Sequence, residues 1–292
     1  MARGRTSRSF AVVLRSTRFG AYVTVGWLGT AVLQYVWRIV FILSVIAGAV
    51  VLFPSTIFGN RAVRDVFMRQ MLFTAIDGSR MALSMGFSVG IILIVQAANW
   101  LANYGGTFSS IAPVLLQIVV REIAPLIANL LVIGRSGIAI STEMANMRVL
   151  GEIDVLEGQG IDPMTYLVMP RVIATSLSIL SLAMIVLVAM YGSAYFVGYA
   201  TSAITEDIGE FSRGIFSKLD PNDAVFFFSK TLITGLFIGA IVTTEGLKAG
   251  RAATDVPRLA SSSGVSALTA YFVVNAILTL LADRKILIWE VF

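Results

Sequence analysis

The sequence predicts an all-α integral membrane protein: one N-terminal interfacial or re-entrant helix, five transmembrane helices, and a short amphipathic helix on the cytoplasmic side. Three observations carry that expectation. The 292 residues are 57% hydrophobic and only 13% charged, whereas a soluble domain is about a quarter charged. Mean hydropathy is +0.85, so the apolar residues cannot all be covered by a polar surface and part of the solvent must be lipid. The apolar residues also fall in long runs, and the Lys and Arg gather in alternate connections between those runs.

A helix needs about 20 apolar residues to cross about 30 Å of hydrocarbon. Candidate stretches are Trp27–Phe53, Met81–Ala102, Ile111–Ile133, Leu167–Tyr191, Ala224–Leu247 and Val265–Ala282. The connection at 54–79 carries Arg61, Arg64 and Arg69. The 134–171 region carries Arg135, Arg148 and Arg171, and the 248–264 loop carries Lys248, Arg251 and Arg258. The 192–223 loop instead holds Glu206, Asp207, Glu210, Asp220 and Asp223 against Arg213 and Lys218. The positive-inside rule therefore puts the first three inside the cell and the acidic one outside.

That assignment raises a parity question at the N-terminus. Residues 1–26 include Arg3, Arg5, Arg8, Arg15 and Arg18 without an apolar core long enough for a secretory signal, and read as a retained cytoplasmic arm. A span at 27–53 would place that arm outside. A segment at 27–53 that enters and leaves by one face keeps it inside, and Arg38 in its middle argues the same way. The expectation is thus a five-span core over 81–282 and a C-terminus outside, with six plain spans as the alternative.

The stretch from Arg121 to Arg171 is the most informative. Within 142–160, Met144, Met147, Leu150, Ile153 and Leu156 recur at helical spacing, while Glu143, Arg148, Glu152 and Glu157 are polar. Such a helix between two spans either lies in the interface or docks into a soluble partner; periodicity leaves both open. Gly158, Gly160 and Asp162-Pro163 end it.

Further charges fall inside the apolar runs. Arg121 and Glu122 lie near the middle of one span and Lys230 lies inside the edge of another. Charges at that depth are costly and face a partner or a polar cavity. Two readings stand: a structural ion pair of Glu122 with Arg121 or Lys230, or a cavity in which Arg121 or Lys230 meets an anionic headgroup. The Gly86/Gly90 and Gly235/Gly239 pairs are G-x-x-x-G patterns, read as packing within the chain first and as a dimer face second. With no His and no Cys, imidazole, thiol and metal–thiolate chemistry are excluded and no catalytic constellation assembles. No G-x-x-x-x-G-K-[ST] occurs, so a nucleotide would be handled by another chain.

The same stretch resembles the signature of the MlaE/YrbE permeases, membrane subunits of MCE-associated ABC transporters. The resemblance rests on Arg121-Glu122 with Pro125, on Gly134-Arg135-Ser136-Gly137 and Glu143, and on Met147-Arg148. It continues through Glu152-Ile153-Asp154 with Leu156, Gly160-Ile161-Asp162-Pro163 and Pro170-Arg171. More loosely it runs from about residue 60 to 282. Pro257 stands where the family has Gly, and Glu157-Gly158-Gln159-Gly160 is richer in Gly than the usual helix end.

The resemblance implies a single permease domain in the bacterial inner membrane, paired with a second copy, that moves phospholipid or a related lipid between membranes. It further implies a separate ABC ATPase that binds the ATP, an MCE-domain protein on the outer side, and no cofactor or catalytic residue in this chain. The helix at 142–160 would then be the coupling helix. Glu143, Met147, Leu150, Glu152, Ile153, Asp154, Leu156 and Glu157 are its expected ATPase contacts, and Arg121, Glu122 and Lys230 the expected substrate-facing residues. An ion-coupled secondary carrier is the competing class, although the inverted repeat common in such carriers is not evident.

Overall fold

The computed structural model describes Thr30 and residues 33–282 apart from 53, 58, 106–114, 202–206, 217–219 and 251. The N-terminal arm, Trp27, Arg251 and the C-terminus, on which part of the expected orientation rests, lie outside the described residues. Every described element is helical: α1 Leu33–Leu52, α2 Arg61–Asn103, α3 Leu115–Val149, α4 Glu152–Gly158, α5 Met164–Ala200, α6 Ile208–Phe216, α7 Pro221–Gly246 and α8 Asp255–Ala282. The chain divides into two compact units, 1–45 and 46–292. Part of α1 belongs to the first, and α2 to α8 belong to the second.

Six of these helices are long and apolar enough to cross a membrane. At 20 residues, α1 is about 30 Å long, and no break interrupts it. One rod of that length suits both a helix along the interface and a sixth span.

The other spans overrun the boundaries that hydropathy suggests. α2 begins at Arg61, twenty residues before the expected Met81, and with 43 residues extends about 64 Å. Much of the expected 54–80 connection is thus helix. Its first turns alternate Arg61, Arg64 and Arg69 with apolar residues, a pattern that hydropathy windows dismiss as loop. Asn60 caps it, its side chain accepting from the Ala62 N–H at 3.0 Å. A π-turn at Leu72–Ile76 marks the passage into the apolar part.

The helix expected over 142–160 is two pieces. α3 continues without a break to Val149, and Gly151, at φ 75°, ends it in the left-handed region that favours glycine. The separate α4 follows and is only 7 residues long. Asp162 then starts the next helix by accepting from the N–H groups of Met164 and Thr165 at 3.2 and 3.1 Å, with Pro163 ahead of them. Those donors and the Thr165 hydroxyl, at 2.6 Å, hold its carboxyl below the usual range, the hydroxyl contributing most.

α5 is the central helix, with α2 and α7 its main neighbours. Glycines permit both approaches. A Cβ at Gly86 would lie 2.7 Å from the Val186 carbonyl oxygen, and one at Gly90 would overlap Ser193 Oγ and the Met190 carbonyl. On the other side, a Cβ at Gly235 would lie 2.7 Å from Ser176 Cα. Both G-x-x-x-G patterns therefore serve packing within the chain. The antiparallel course gathers Arg61, Arg64, Arg69, Arg148, Arg171, Lys248 and Arg258 at one end of the bundle, and Asp207 and Asp220 at the other.

Candidate functional site

Arg121 and Glu122 sit in a π-turn, Val119–Ile123, inside α3. Successive residues on a helix point in different directions, and these two take different partners. The Lys230 ammonium lies 2.6 Å from Glu122 Oε1 and also donates to the Arg121 carbonyl oxygen at 3.0 Å and to Thr279 Oγ1 at 3.1 Å. Thr279 donates to the same Glu122 oxygen at 2.9 Å, and Asn275 Nδ2 reaches the other at 3.4 Å. The Lys230 side chain is 0% exposed: its three protons are consumed by protein.

Arg121 pairs with Asp223, its Nε 2.5 Å from Oδ1. Sequence reasoning missed Asp223 by counting it with the acidic outer loop. In the structure it lies in the first turn of α7 and is 5% exposed. A signal was available: Asp223 follows Asp220-Pro221, a helix start, and precedes Lys230 by seven residues, two helical turns, so both occupy one face. Phe226 lies between them, its ring centroid 5.7 Å from the Arg121 guanidinium carbon and 5.1 Å from Lys230 Nζ. Among the described residues the cluster pairs two cations with two anions, which is how charge is tolerated in hydrocarbon. Tyr271, Asn275 and Thr279 recur every four residues on α8, so one polar face of that helix turns toward Glu122.

An apolar cavity opens at the neighbouring turn of α3. Gly90 and Ile94 of α2, Val119 of α3, Met190 and Tyr191 of α5 and Phe211 of α6 line about 590 Å³ of open space. Val119 is two residues from Arg121. Phe211 is the closing side chain, its ring 5.3 Å from that of Tyr191 and 5.1 Å from that of Tyr195. α6 lies within the acidic 192–223 connection, and its amphipathic face seats Phe211 at 5% exposure.

At the basic end of the bundle the expected contact residues separate into groups. Glu143 accepts from Arg171 at 2.7 Å, and with Met147 it lines a cleft facing the start of α2. Ile153 is buried, and Asp154 accepts from Arg148 at 2.8 Å. Leu150, Glu152 and Glu157 are exposed and Leu156 is half-buried. Val155, an apolar residue at 58% exposure, joins them and was not anticipated. Two further π-turns meet through one bond: Arg135, in the turn Ile133–Gly137, donates to the Phe73 carbonyl oxygen at 3.2 Å, in the turn Leu72–Ile76. π-turns displace a carbonyl from the helical ladder, and this one finds its donor on the neighbouring span.

Six long apolar helices with a paired charge cluster held among them are the architecture of a multi-span membrane protein. Residues 67–281 match the family described as Permease MlaE. Probable ABC transporter permease proteins are similar: one from Rickettsia felis is 29% identical over 74% of this chain and 82% of its own length. Another, from Synechocystis, is 30% identical over 75% of this chain and 82% of its own. The chloroplastic protein TRIGALACTOSYLDIACYLGLYCEROL 1 of Arabidopsis thaliana is 28% identical over 84% of this chain and 68% of its own length. The chain belongs to the MlaE family of ABC transporter permeases.

Proposed function

We propose that this permease moves a phospholipid or related lipid between membranes, energised by ATP hydrolysis in a separate subunit. The observation that carries the reading is the apolar cavity lined by Val119, two residues along α3 from the Arg121–Asp223 pair. Acyl chains match its lining, and the partly exposed Arg121 side chain would meet a headgroup while keeping its bond to Asp223. Lys230 acts by holding Glu122 and reaches lipid only if that pair opens. The chloroplast relative carries the name of a galactolipid, which supports a lipid cargo.

The basic end of the bundle faces the cytoplasm and the acidic end faces out, with α1 in the cytoplasmic interface of a bacterial inner membrane. The ATPase meets the connector around Gly151, where Leu150, Val155 and Leu156 supply apolar contact and Glu152 and Glu157 supply charge. A second copy of the chain and an MCE-domain protein on the outer side complete the assembly. ATP-driven movement of the connector rocks α3 and α5, and the cavity alternates between two states.

The test is purification of the tagged chain in mild detergent, with mass spectrometry of bound proteins and lipids, followed by reconstitution. Recovery of an ATPase and nucleotide-dependent lipid transfer is expected. Transport that proceeds without nucleotide, and without any co-purifying ATPase, would assign the chain to the ion-coupled carriers instead.

A further inference from the structure

A second cleft, open to one side, lies where the start of α2, the end of α3 and the start of α5 meet, with about 830 Å³ of space in and over it. It is remote from the charge network. Arg171 at its floor and Met190 in the apolar cavity are both on α5, nineteen residues or about 28 Å apart along the helix.

The lining of this cleft is mixed. Val66, Phe73 and Leu167 give it apolar surface, while Arg69, Tyr166 and Arg171 give it donors. Arg171 is 5% exposed, and it spends its guanidinium on Glu143 Oε1 and the Met144 sulfur. Glu143, the carboxylate in this wall, thus answers Arg171. Arg69 is exposed and has no carboxylate partner among the described residues. The cleft keeps one uncompensated positive charge at its rim and a buried cation behind it.

Its position along α2 indicates the source of a matching anion. Arg61, Arg64 and Arg69 occupy the outer turns of the helix, and then the exposed residues change character. Leu72 is 51% exposed, Phe73 38% and Ile76 62%. A run of Arg followed by bare apolar side chains marks the level at which headgroups give way to acyl chains. A soluble anion would use the donors and leave the apolar strip unexplained. An acidic protein segment would have to follow that strip into hydrocarbon.

We propose that this cleft binds the phosphate-bearing headgroup of an anionic membrane lipid, with Arg69 and Tyr166 donating to the phosphate and the acyl chains lying along Leu72, Phe73 and Ile76. Arg171 supplies fixed positive potential and keeps its bond to Glu143. Because α2, α3 and α5 all contribute walls, an occupied cleft ties the outer turns of α2 to the rest of the bundle.

Native mass spectrometry of the full-length chain tests this, with dioleoyl-phosphatidylglycerol or dioleoyl-phosphatidylcholine added as the probe. The readout is binding, so a chain that moved no lipid would still answer it. Retention of phosphatidylglycerol over phosphatidylcholine is expected, with Arg69→Gln reducing it about tenfold and Arg69→Lys giving an intermediate value. Tyr166→Phe in the Arg69→Gln background should abolish the preference. Arg69 is exposed, so helical circular dichroism should be unchanged in these variants. Unaltered preference in the double variant overturns the assignment. Displacement of the lipid by inorganic phosphate in modest excess overturns the lipid as the source and leaves a free-anion site. Loss of a co-purifying protein from Arg69→Gln at unchanged lipid occupancy overturns it in favour of a protein contact.

Discussion

Glu122 and Lys230, 108 positions apart in the chain, form a 2.6 Å ion pair in which the lysine side chain is wholly enclosed and the glutamate keeps 36% of its side chain exposed. The asymmetry decides what each residue can do. Lys230 is a structural partner in this state, and Glu122 is the member with a free edge.

Breaking that pair from one side should be far worse than removing it whole. Lys230→Met or Glu122→Gln alone leaves a charge at membrane depth, and each should cost about 3 kcal/mol, the low end for a buried pair because Glu122 is partly exposed. The double variant should recover most of the loss. Unfolding titrations in detergent, arranged as a double-mutant cycle, measure the coupling. Additive losses would mean that the two residues act separately, as a pair of headgroup contacts would.

The helix–helix seams give a sharper stability prediction. Gly90→Leu would drive a side chain into Ser193 and the Met190 carbonyl, and Gly235→Val into Ser176. Each should destabilise by about 1–3 kcal/mol or prevent assembly. Gly192→Ala, where an added Cβ meets nothing within 4 Å, should be close to neutral. Thermal stability by fluorescence-detected gel filtration compares all three. A dimer-only role for the glycines predicts loss of the dimer with the monomer's stability intact.

Asp162 provides a pH handle outside the spans. Its folded carboxyl sits below the ordinary range because Thr165 and the Met164 and Thr165 amides favour the charged form. A depressed pKa means that the stabilisation is present above the unfolded value, about 3.9, and is lost as pH falls through the folded one. At neutral pH, Asp162→Ala should cost about 1 kcal/mol, a cap's usual contribution, moderated by solvent exposure. The difference from the parent should shrink below about pH 4 as the parent's own carboxyl protonates. A gap that stays constant down to the most acid conditions would show that the carboxylate charge plays no part.

How far the sequence could be read follows from which signals are local. Spans, the break at Asp162-Pro163 and the paired glycines are local patterns, and each corresponds to an observed feature. Helix ends were less legible, because hydropathy reports where lipid is and not where the helix stops: α2 runs on past its apolar part through Arg69, Arg64 and Arg61. The pairing of Arg121 with Asp223 required knowing that α3 and α7 are neighbours, which no window of sequence contains. The division at Gly151 was hidden by a periodicity that continued across it, since Met144, Met147, Leu150 and Ile153 keep helical spacing through a residue with positive φ. The 142–160 helix therefore looked like one amphipathic face, although Met144 and Ile153 point into the protein and Leu150 points out.

That division makes the coupling proposal testable residue by residue. Leu150, at 72% exposure, and Val155, at 58%, present apolar surface on either side of Gly151. Ile153, between them, is 2% exposed and packs into the chain. If the connector is where the ATPase binds, Val155→Asp and Leu150→Asp should abolish ATPase co-purification while the permease remains folded, because neither side chain supports the bundle. Leu156→Asp should weaken the contact in proportion to its half-burial. Ile153→Asp should do something different: a carboxylate forced into the core costs several kcal/mol, so α4 should unravel and stability should fall together with binding. Pull-down of the ATPase, read beside the melting temperature of each variant, separates the two effects. If Val155→Asp retains a full complement of ATPase, the subunit contact lies elsewhere, and the exposed apolar pair needs another explanation.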